Sequence, residues 1–437
     1  MEIQLLIWRE AKLSELLVGR QPILNSQKET IGYELLYRAL ITDTNAVFKD
    51  GNTATSQVFA NTLFEMGLDA IVGPQLAFIN FTRDFLVKDD LVQLLTAIRT
   101  ERFDPRRVVL EVLEDITLDG ELFRALRKFK KKNFLIAMDD VVSLEQIVPI
   151  LDKGLVDLIK IDMLSVNRTD LPDLVNSIKQ YGILLLAEKV ETPADFSICL
   201  NLGFDFFQGY FFYKPETIKH KKKKMDVSRF SLMRSLAAAM DTQTSFSLLD
   251  PIISQDVGLS YKLLRLVNSG YYSLADEVKS IQQAIALIGL QSLRSWMMLL
   301  MMATVDDKPH ELTAIAFQRA KMCEMLGNAL GYWQAESYFL IGLLSVLDAI
   351  MDLPMSQVVE GLSLTPEINE ALINRRGKLG MVLTAVIATE SANWDHILQL
   401  GIKPHIWRNI YFESVKSSNM IMNEIHAEQY MELGYSD

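Results

Sequence analysis

The chain has 437 residues, 49% hydrophobic and 23% charged, enough for two or three domains each with its own core. A formal net charge of -11 argues against general nucleic-acid or anionic-membrane binding, and no apolar run reaches the roughly 18 residues of a membrane helix. The opening Met1-Glu-Ile-Gln lacks the basic start of a signal peptide, and the two cysteines, Cys199 and Cys323, have no ligand-like spacing, so cytoplasm is the expected compartment.

Val18-Gly-Arg20-Gln21-Pro22-Ile-Leu reads as a short strand before a turn near Asn25 to Lys28, and Ile31 to Arg38 as the strand after it. Glu34 lies among apolar neighbours and needs a partner, for which Arg38, four residues on, is the plainest candidate. Arg20 in its plainest reading is a surface cation. Residues 53–69 carry a helical pattern closed by Gly67. A strand Leu76 to Asn80, a helix from about Asp89 to Ile98 and a strand Val108 to Glu111 follow. The helix from Glu121 to Lys130 is acidic at its start and basic at its end, as the helix dipole prefers, so the Lys128 to Lys132 run reads as a solvated helix end. Next come Phe134-Leu-Ile-Ala-Met-Asp139-Asp140, a helical segment from Leu144, and the strand Leu158-Ile-Lys160-Ile-Asp162. A helix at 171–180, the strand Ile183 to Glu188 and a helix opened by Thr192-Pro193 lead to Phe204-Asp-Phe-Phe-Gln208-Gly209, where Gln208 can reach inward.

Each strand is short and apolar and ends in a group able to bind metal or hold a proton: Asn80, Glu111, Asp139 with Asp140, Lys160, Glu188. Alternating with helices, that is the pattern of a (β/α) barrel whose active site lies at the carboxyl ends of its strands. Adjacent carboxylates repel one another and resist desolvation, which favours a divalent metal over the plainer readings of a helix cap or salt-bridged turn. None of the five histidines (His220, His310, His396, His405, His426) lies near a strand end, so the ligands are oxygens and the ion magnesium, manganese or calcium rather than zinc.

Composition changes at 214–227, where Lys214 to Asp226 has no apolar periodicity and reads as a basic linker between a barrel at 1–213 and a helical domain at 228–437. Helices are expected from Asp256 to Val267, broken by Asn268-Ser-Gly-Tyr-Tyr, then at 281–287, 293–302, 311–330, 336–350, 365 into the 380s, and 407–432. The methionine-rich stretch 297–302 reads as core, and nothing in this half assembles a chemical site.

The strand-end residues resemble those of EAL-type cyclic di-GMP phosphodiesterases, in the branch fused to an HDOD domain. Tyr33-Glu34-Leu35-Leu36-Tyr37-Arg38 is similar to E-A-L-L-R, Ile79-Asn80 to the asparagine strand, Glu111-Val-Leu-Glu114 to E-x-T-E, and Asp139-Asp140 to D-D-F-G. Lys160-Ile-Asp162 is similar to K-I-D, Ala187-Glu188-Lys-Val-Glu191-Thr192 to A-E-G-V-E-T, and Gln208-Gly209 to Q-G. The resemblance implies a variant TIM (β/α)8 barrel with one antiparallel strand, followed by a separate all-α HDOD domain. It implies hydrolysis of cyclic di-GMP to linear pGpG with two Mg2+ or Mn2+ ions. Glu34, Asn80, Glu111 and Asp139 would be metal ligands, with Asp140 serving the second ion. Lys160 would orient or activate the attacking water and Glu188 would help place it. Gln21 and Arg38 would contact the nucleotide, while Gln208, Glu191 and Asp162 would stand behind these groups.

Departures from that pattern cluster in two places. Asp139-Asp140-Val141-Val142-Ser143-Leu144 lacks the glycines of D-D-F-G-x-G, so β-branched residues enter a loop expected to turn sharply. In the family this loop also couples the site to pairing of barrels, which leaves a homodimer open. Leu113 replaces a threonine, Leu35 an alanine, and Lys189 a glycine, adding a cation beside Glu188. In the second half Leu263-Leu-Arg-Leu-Val-Asn268-Ser269 and Ser280 to Gly289 resemble HDOD domains, and Ser345-Val346 stand where an HD enzyme carries its ligand pair. A protein-interaction or output role follows from that likeness. Two functions stay open: a phosphodiesterase, favoured by the intact ligand set, and a degenerate barrel acting as cyclic di-GMP sensor or protein scaffold.

Overall fold

A computed structural model describes residues 16–39, 67–87, 104–113, 116–212, 233–237, 257–305, 308–362 and 364–432. The expected helices at 53–66 and 89–98, Glu114, the linker 214–227, the Asp256 cap and the side chain of Arg38 lie outside the described residues. The chain divides into two compact units, the first running to Phe211 with segments 389–395 and 403–409, the second holding the remainder.

The first unit is a closed barrel of eight strands in sequence order, β1 (Leu16–Asn25), β2 (Thr30–Ala39), β3 (Leu76–Phe81), β4 (Val108–Val112), β5 (Leu135–Val141), β6 (Leu158–Asp162), β7 (Leu184–Glu188) and β8 (Phe206–Gln208). β1 runs antiparallel to both β2 and β8, whereas every other neighbouring pair is parallel. The reason is local. Asn25 Oδ1 accepts from the amides of Gln27 and Glu29, an Asx turn that reverses the chain at once, and a reversal this tight joins only antiparallel strands. Parallel strands need crossovers, and the described ones are α1 (Leu68–Val72), α2 (Arg83–Val87), α3 (Gly120–Lys130), α4 (Leu144–Leu151), α5 (Leu171–Lys179) and α6 (Pro193–Leu202). Gly67 immediately precedes α1, so residues 68 and 69 open a new helix instead of ending the one expected at 53–69.

The barrel interior has two layers, and strand periodicity sets both. Ile23, Phe78, Val109, Ala137, Leu158 and Leu186 form an apolar floor, with Phe206 packed against it. Side chains two residues further along a strand leave the same face. Phe78 is therefore followed by Asn80, Val109 by Glu111, Ala137 by Asp139, Leu158 by Lys160, Leu186 by Glu188 and Phe206 by Gln208. A dry floor thus supports a polar layer at the carboxyl ends. The intervening residues Val108, Leu110, Val112, Ile136, Ile159, Ile161, Leu185 and Ala187 are buried on the opposite face of the strands, toward the helices.

Beyond Phe212 the described residues form helices joined by turns: α7 (Val257–Val267), α8 (Ile281–Ile288), α9 (Leu290–Ala303), α10 (His310–Ala329), α11 (Ala335–Leu344), α12 (Leu347–Met351), α13 (Met355–Glu360), α14 (Pro366–Asn374), α15 (Gly377–Glu390), α16 (Trp394–Leu398) and α17 (Pro404–Glu432), the last three lying partly in the segments counted with the first unit. The single helix expected at 336–350 is two. Ser345 Oγ donates to Gly342 O, competing with the helical ladder, and Val346 leaves helical geometry at φ -110°, ψ 2°. The helix expected from 365 also divides, at Arg375, which takes a left-handed φ of 58°. Met297, Met298 and Met302 of α9 are core residues. Among the described residues no single helix is long and apolar enough to cross a membrane; only α8 and α9 together pass by composition, and they are bent by 119°.

Candidate active site in the barrel

Lys160, on β6, has a fully buried ammonium at the centre of the polar layer. Its Nζ is 2.6 Å from Glu111 Oε1, 2.7 Å from Asp139 Oδ1, 2.8 Å from Glu188 Oε1 and 3.9 Å from Glu34 Oε1. Four carboxylates contributed by β2, β4, β5 and β7 thus converge on one cation. Burial alone would lower the lysine's affinity for its proton, but these carboxylates reverse that and raise its pKa well above the usual value. It is a permanent positive charge, suited to orienting a water or phosphate and unsuited to accepting a proton. Glu111 moves up for the opposite reason: burial disfavours its charge, Lys160 recovers part, and Glu34 and Asp139 add repulsion. Burial likewise pushes Glu188 up, to about 8, with Lys160 opposing and Asp139 and Glu34 adding to the rise.

Glu34 is held by two side-chain amides. Its Oε1 accepts from Asn80 Nδ2 at 2.9 Å and its Oε2 from Gln208 Nε2 at 2.5 Å. Gln208 Nε2 also donates to Gln21 Oε1 at 2.9 Å, so Gln21, Glu34 and Gln208 form one chain across β1, β2 and β8. Gln208 is aimed inward because Gly209 follows at φ 146°, where a Cβ would lie 2.2 Å from Val190 O. Tyr37 donates its hydroxyl to Asn80 O and fixes the tip of β3. Arg20 is buried, not a surface cation: its Nη1 donates to Ile71 O at 2.6 Å and its guanidinium stacks over Tyr33 at 4.1 Å. Neither Tyr37 nor Arg20 could be assigned these partners from sequence, since both contacts cross more than 40 residues.

The missing glycines after Asp140 do not produce a strained loop of β-branched residues. β5 continues to Val141 and α4 starts at Leu144, so only Val142 and Ser143 intervene. Gln146 Oε1 accepts from the amides of both in a capping box. The turn is made one step earlier, by Asp140 itself, at φ 47° in a register shift between β5 and β6. That bulge separates the adjacent carboxylates: Asp139 turns in to Lys160, while Asp140 faces outward and meets Lys189. Lys189 also has a positive φ, 53°, and left-handed geometry costs an L-residue roughly 1–2 kcal/mol. Its Nζ lies 2.8 Å from Asp162 Oδ2 and 3.3 Å from Asp140 Oδ1. The signal for this contact was a cation at a glycine position. Glu191 follows two residues later, half-buried.

The donor set suits a hard divalent cation. All its groups are oxygens, and Asn80 Oδ1, Glu111 Oε2 and Glu188 Oε2 are buried without a hydrogen-bond partner. Among the described residues no three carboxylates already close on one point as a metal cage, because they close on Lys160 instead.

Family models match this chain twice: the EAL domain over residues 8–215 and the HDOD domain over 230–360. The YuxH protein of Bacillus subtilis is 31% identical over 392 residues, covering 88% of this chain and 93% of the relative. The chain belongs to the EAL–HDOD family. CdgJ of Vibrio cholerae, named a cyclic di-GMP phosphodiesterase, is 31% identical over 396 residues, covering 88% of each protein. Among solved structures, Klebsiella pneumoniae BlrP1 in complex with calcium and cyclic di-GMP is 22% identical, covering 45% of this chain and 54% of that one, with a TM-score of 0.39. The Lys160 cluster belongs to the EAL domain of this EAL–HDOD chain, and Ser345 and Val346 to its HDOD domain. There Ser345 Oγ accepts from Arg319 Nη1 at 3.1 Å, so an arginine stands against the serine.

Proposed function

We propose that the EAL domain hydrolyses cyclic di-GMP to linear pGpG with Mg2+ or Mn2+, in bacterial second-messenger signalling. The observation that carries this reading is the polar layer itself: four carboxylates, one amide pair and a buried lysine on a dry floor at the strand ends. Glu34, Asn80, Glu111 and Asp139 would hold the cation, which supplies charge neutralisation at the phosphoryl oxygens and a more acidic water. Lys160 holds Glu111, Asp139 and Glu188 in register and directs positive charge at the reacting phosphate. Glu188 and Lys160 together orient the water. Gln208 locks Glu34 through its Oε2 and ties it to Gln21, which with Arg38 would contact the nucleotide. Asp162 and Glu191 support the layer from behind.

The relative named as a phosphodiesterase, alike along most of its length, supports the same chemistry. The HDOD domain, with an arginine rather than a ligand pair at Ser345, serves as protein-interaction or output module. We take 1–213 as the EAL domain, 214–227 as the linker and 228–437 as the HDOD domain, a reading supported by family matches at 8–215 and 230–360. Two buried free cysteines and a nucleotide substrate suit the cytoplasm. A second reading, a cyclic di-GMP sensor without turnover, is favoured by one observation, the ammonium of Lys189 between Asp140 and Asp162.

The test incubates the full-length protein with cyclic di-GMP and magnesium or manganese and follows linear dinucleotide by chromatography, beside Glu34→Ala. Product that vanishes in the variant is the expected result. No product under either ion ends the enzyme reading, and titration of the same samples with cyclic di-GMP then decides between sensor and scaffold.

A further inference from the structure

We propose that Lys189 is a tethered replacement for a second divalent cation, so that each chain binds one ion and not two. The inference rests on the reading that Glu34, Asn80, Glu111 and Asp139 hold the first ion. It concerns the neighbouring position, between Asp140 and Asp162.

Those carboxylates stand at the ends of adjacent strands, β5 and β6, and lie outside the Lys160 cluster. The resemblance assigns a second ion to Asp140, and Asp162 is the carboxylate that shares Lys189 with it. The ammonium of Lys189 is already there, 2.8 Å from Asp162 Oδ2 and 3.3 Å from Asp140 Oδ1. A magnesium ion bound by either oxygen at about 2.1 Å would have to displace it. Asp162 has little capacity left for an ion. Its Oδ1 accepts from the amides of Leu164 at 2.8 Å and Ser165 at 3.3 Å, and its Oδ2 accepts from Ser165 Oγ at 2.7 Å as well as from Lys189. With four donors on two oxygens, the carboxylate is saturated.

The backbone is bent to make the contact. Asp140 and Lys189 both sit at positive φ, 47° and 53°, on strand ends that flank β6. An L-residue other than asparagine or aspartate is uncommon there, and from that conformation Lys189 Nζ reaches both carboxylates. Charge points the same way. Asp140 and Asp162 carry two negative charges, and one ammonium leaves a single residual charge, much less attractive to a divalent ion than the pair alone. A fixed ammonium can still face a phosphate, as an ion would, but it provides no coordination position for a water.

The experiment counts ions. Full-length protein is titrated with manganese, and free Mn2+ is read by electron paramagnetic resonance, for wild type, Glu34→Ala, Lys189→Gly, Lys189→Arg and Lys189→Gly/Asp140→Asn. Circular dichroism confirms each fold; glycine suits the positive φ and is the variant least able to disturb it. The expected result is one ion in wild type, lost in Glu34→Ala, and still one in Lys189→Arg. Lys189→Gly should take two, the second at least tenfold weaker, and the double variant should return to one. Two ions in wild type, or only one in Lys189→Gly, overturn the inference while leaving the first site standing. No ion in wild type overturns both it and the metal reading on which it rests.

Discussion

The two units of the chain each bury a cation, and they do so in opposite electrostatic settings. In the barrel, Lys160 stands among Glu34, Glu111, Asp139 and Glu188, an excess of carboxylate around one positive charge. In the helical unit, Arg319 donates to Ser345 while it and Arg375 both act on one half-buried carboxylate, Asp348. Burial pushes Asp348 up, and the Ala349 amide and the two arginines pull it back. Burial and the nearby Arg319 lower Arg375. The barrel cluster is therefore short of positive charge and invites a cation, while at Asp348 two arginines face one carboxylate. The same device, a buried ion group between packed elements, builds a candidate reaction centre in one unit and a fixed structural junction in the other. Gly342 reinforces that junction: a Cβ there would lie 2.5 Å from the backbone of Ala320, so α11 packs directly on α10.

The sharpest way to break the comparison is to remove each cation. Lys160→Met should cost about 3–5 kcal/mol, because it strands buried carboxylates, and manganese should restore part of the loss. Denaturant unfolding with and without the ion measures both. An unchanged midpoint would mean the cluster is not a unit.

A pH series is next in size. Glu188 is raised from an ordinary 4.5 to about 8, so between those values the folded protein holds a proton that the unfolded chain has released. Its contribution to stability is complete below about pH 4.5, falls as pH rises through the window, and is gone above about pH 8. The slope approaches about 1.4 kcal/mol per pH unit for one such group. Unfolding of the metal-free protein from pH 5.5 to 8.5 should show this decline, and manganese should flatten it. Stability that climbs over that range would reverse the assignment.

Arg319→Met should have a smaller effect, about 1–3 kcal/mol, since Asp348 can take up a proton and keeps Arg375. Manganese should not rescue it. Rescue would show that the helical unit holds an ion after all. The smallest effects belong to helix caps that touch neither cation. Thr192 accepts from the Asp195 amide and Ser280 from the Gln283 amide, so Thr192→Ala and Ser280→Ala should each cost about 1 kcal/mol in thermal unfolding, with no response to metal.

The barrel and its strand ends were legible in the chain because both follow from short-range rules. An apolar strand places residues two apart on one face, so Val109 with Glu111 and Leu158 with Lys160 could be read as floor and site without coordinates. The helix α3 announced itself through its acidic start and basic end. Breaks were less visible: Ser345 divides α11 from α12 through a hydroxyl bond that its residue type permits but does not require.

What sequence determined by itself was which groups stand at which strand end, and that these groups offer oxygens and not histidines. It could not determine pairing. Gln208 reaches Glu34 across 174 residues, and Lys189 reaches Asp140 across 49. Closure of the barrel brings such groups within hydrogen-bond range, and no local propensity encodes that distance. The left-handed turn at Asp140 was likewise decided in three dimensions. The chain bent at Asp140, whose carboxylate meets Lys189 just past the end of β7, and so separated the two aspartates that sequence shows side by side.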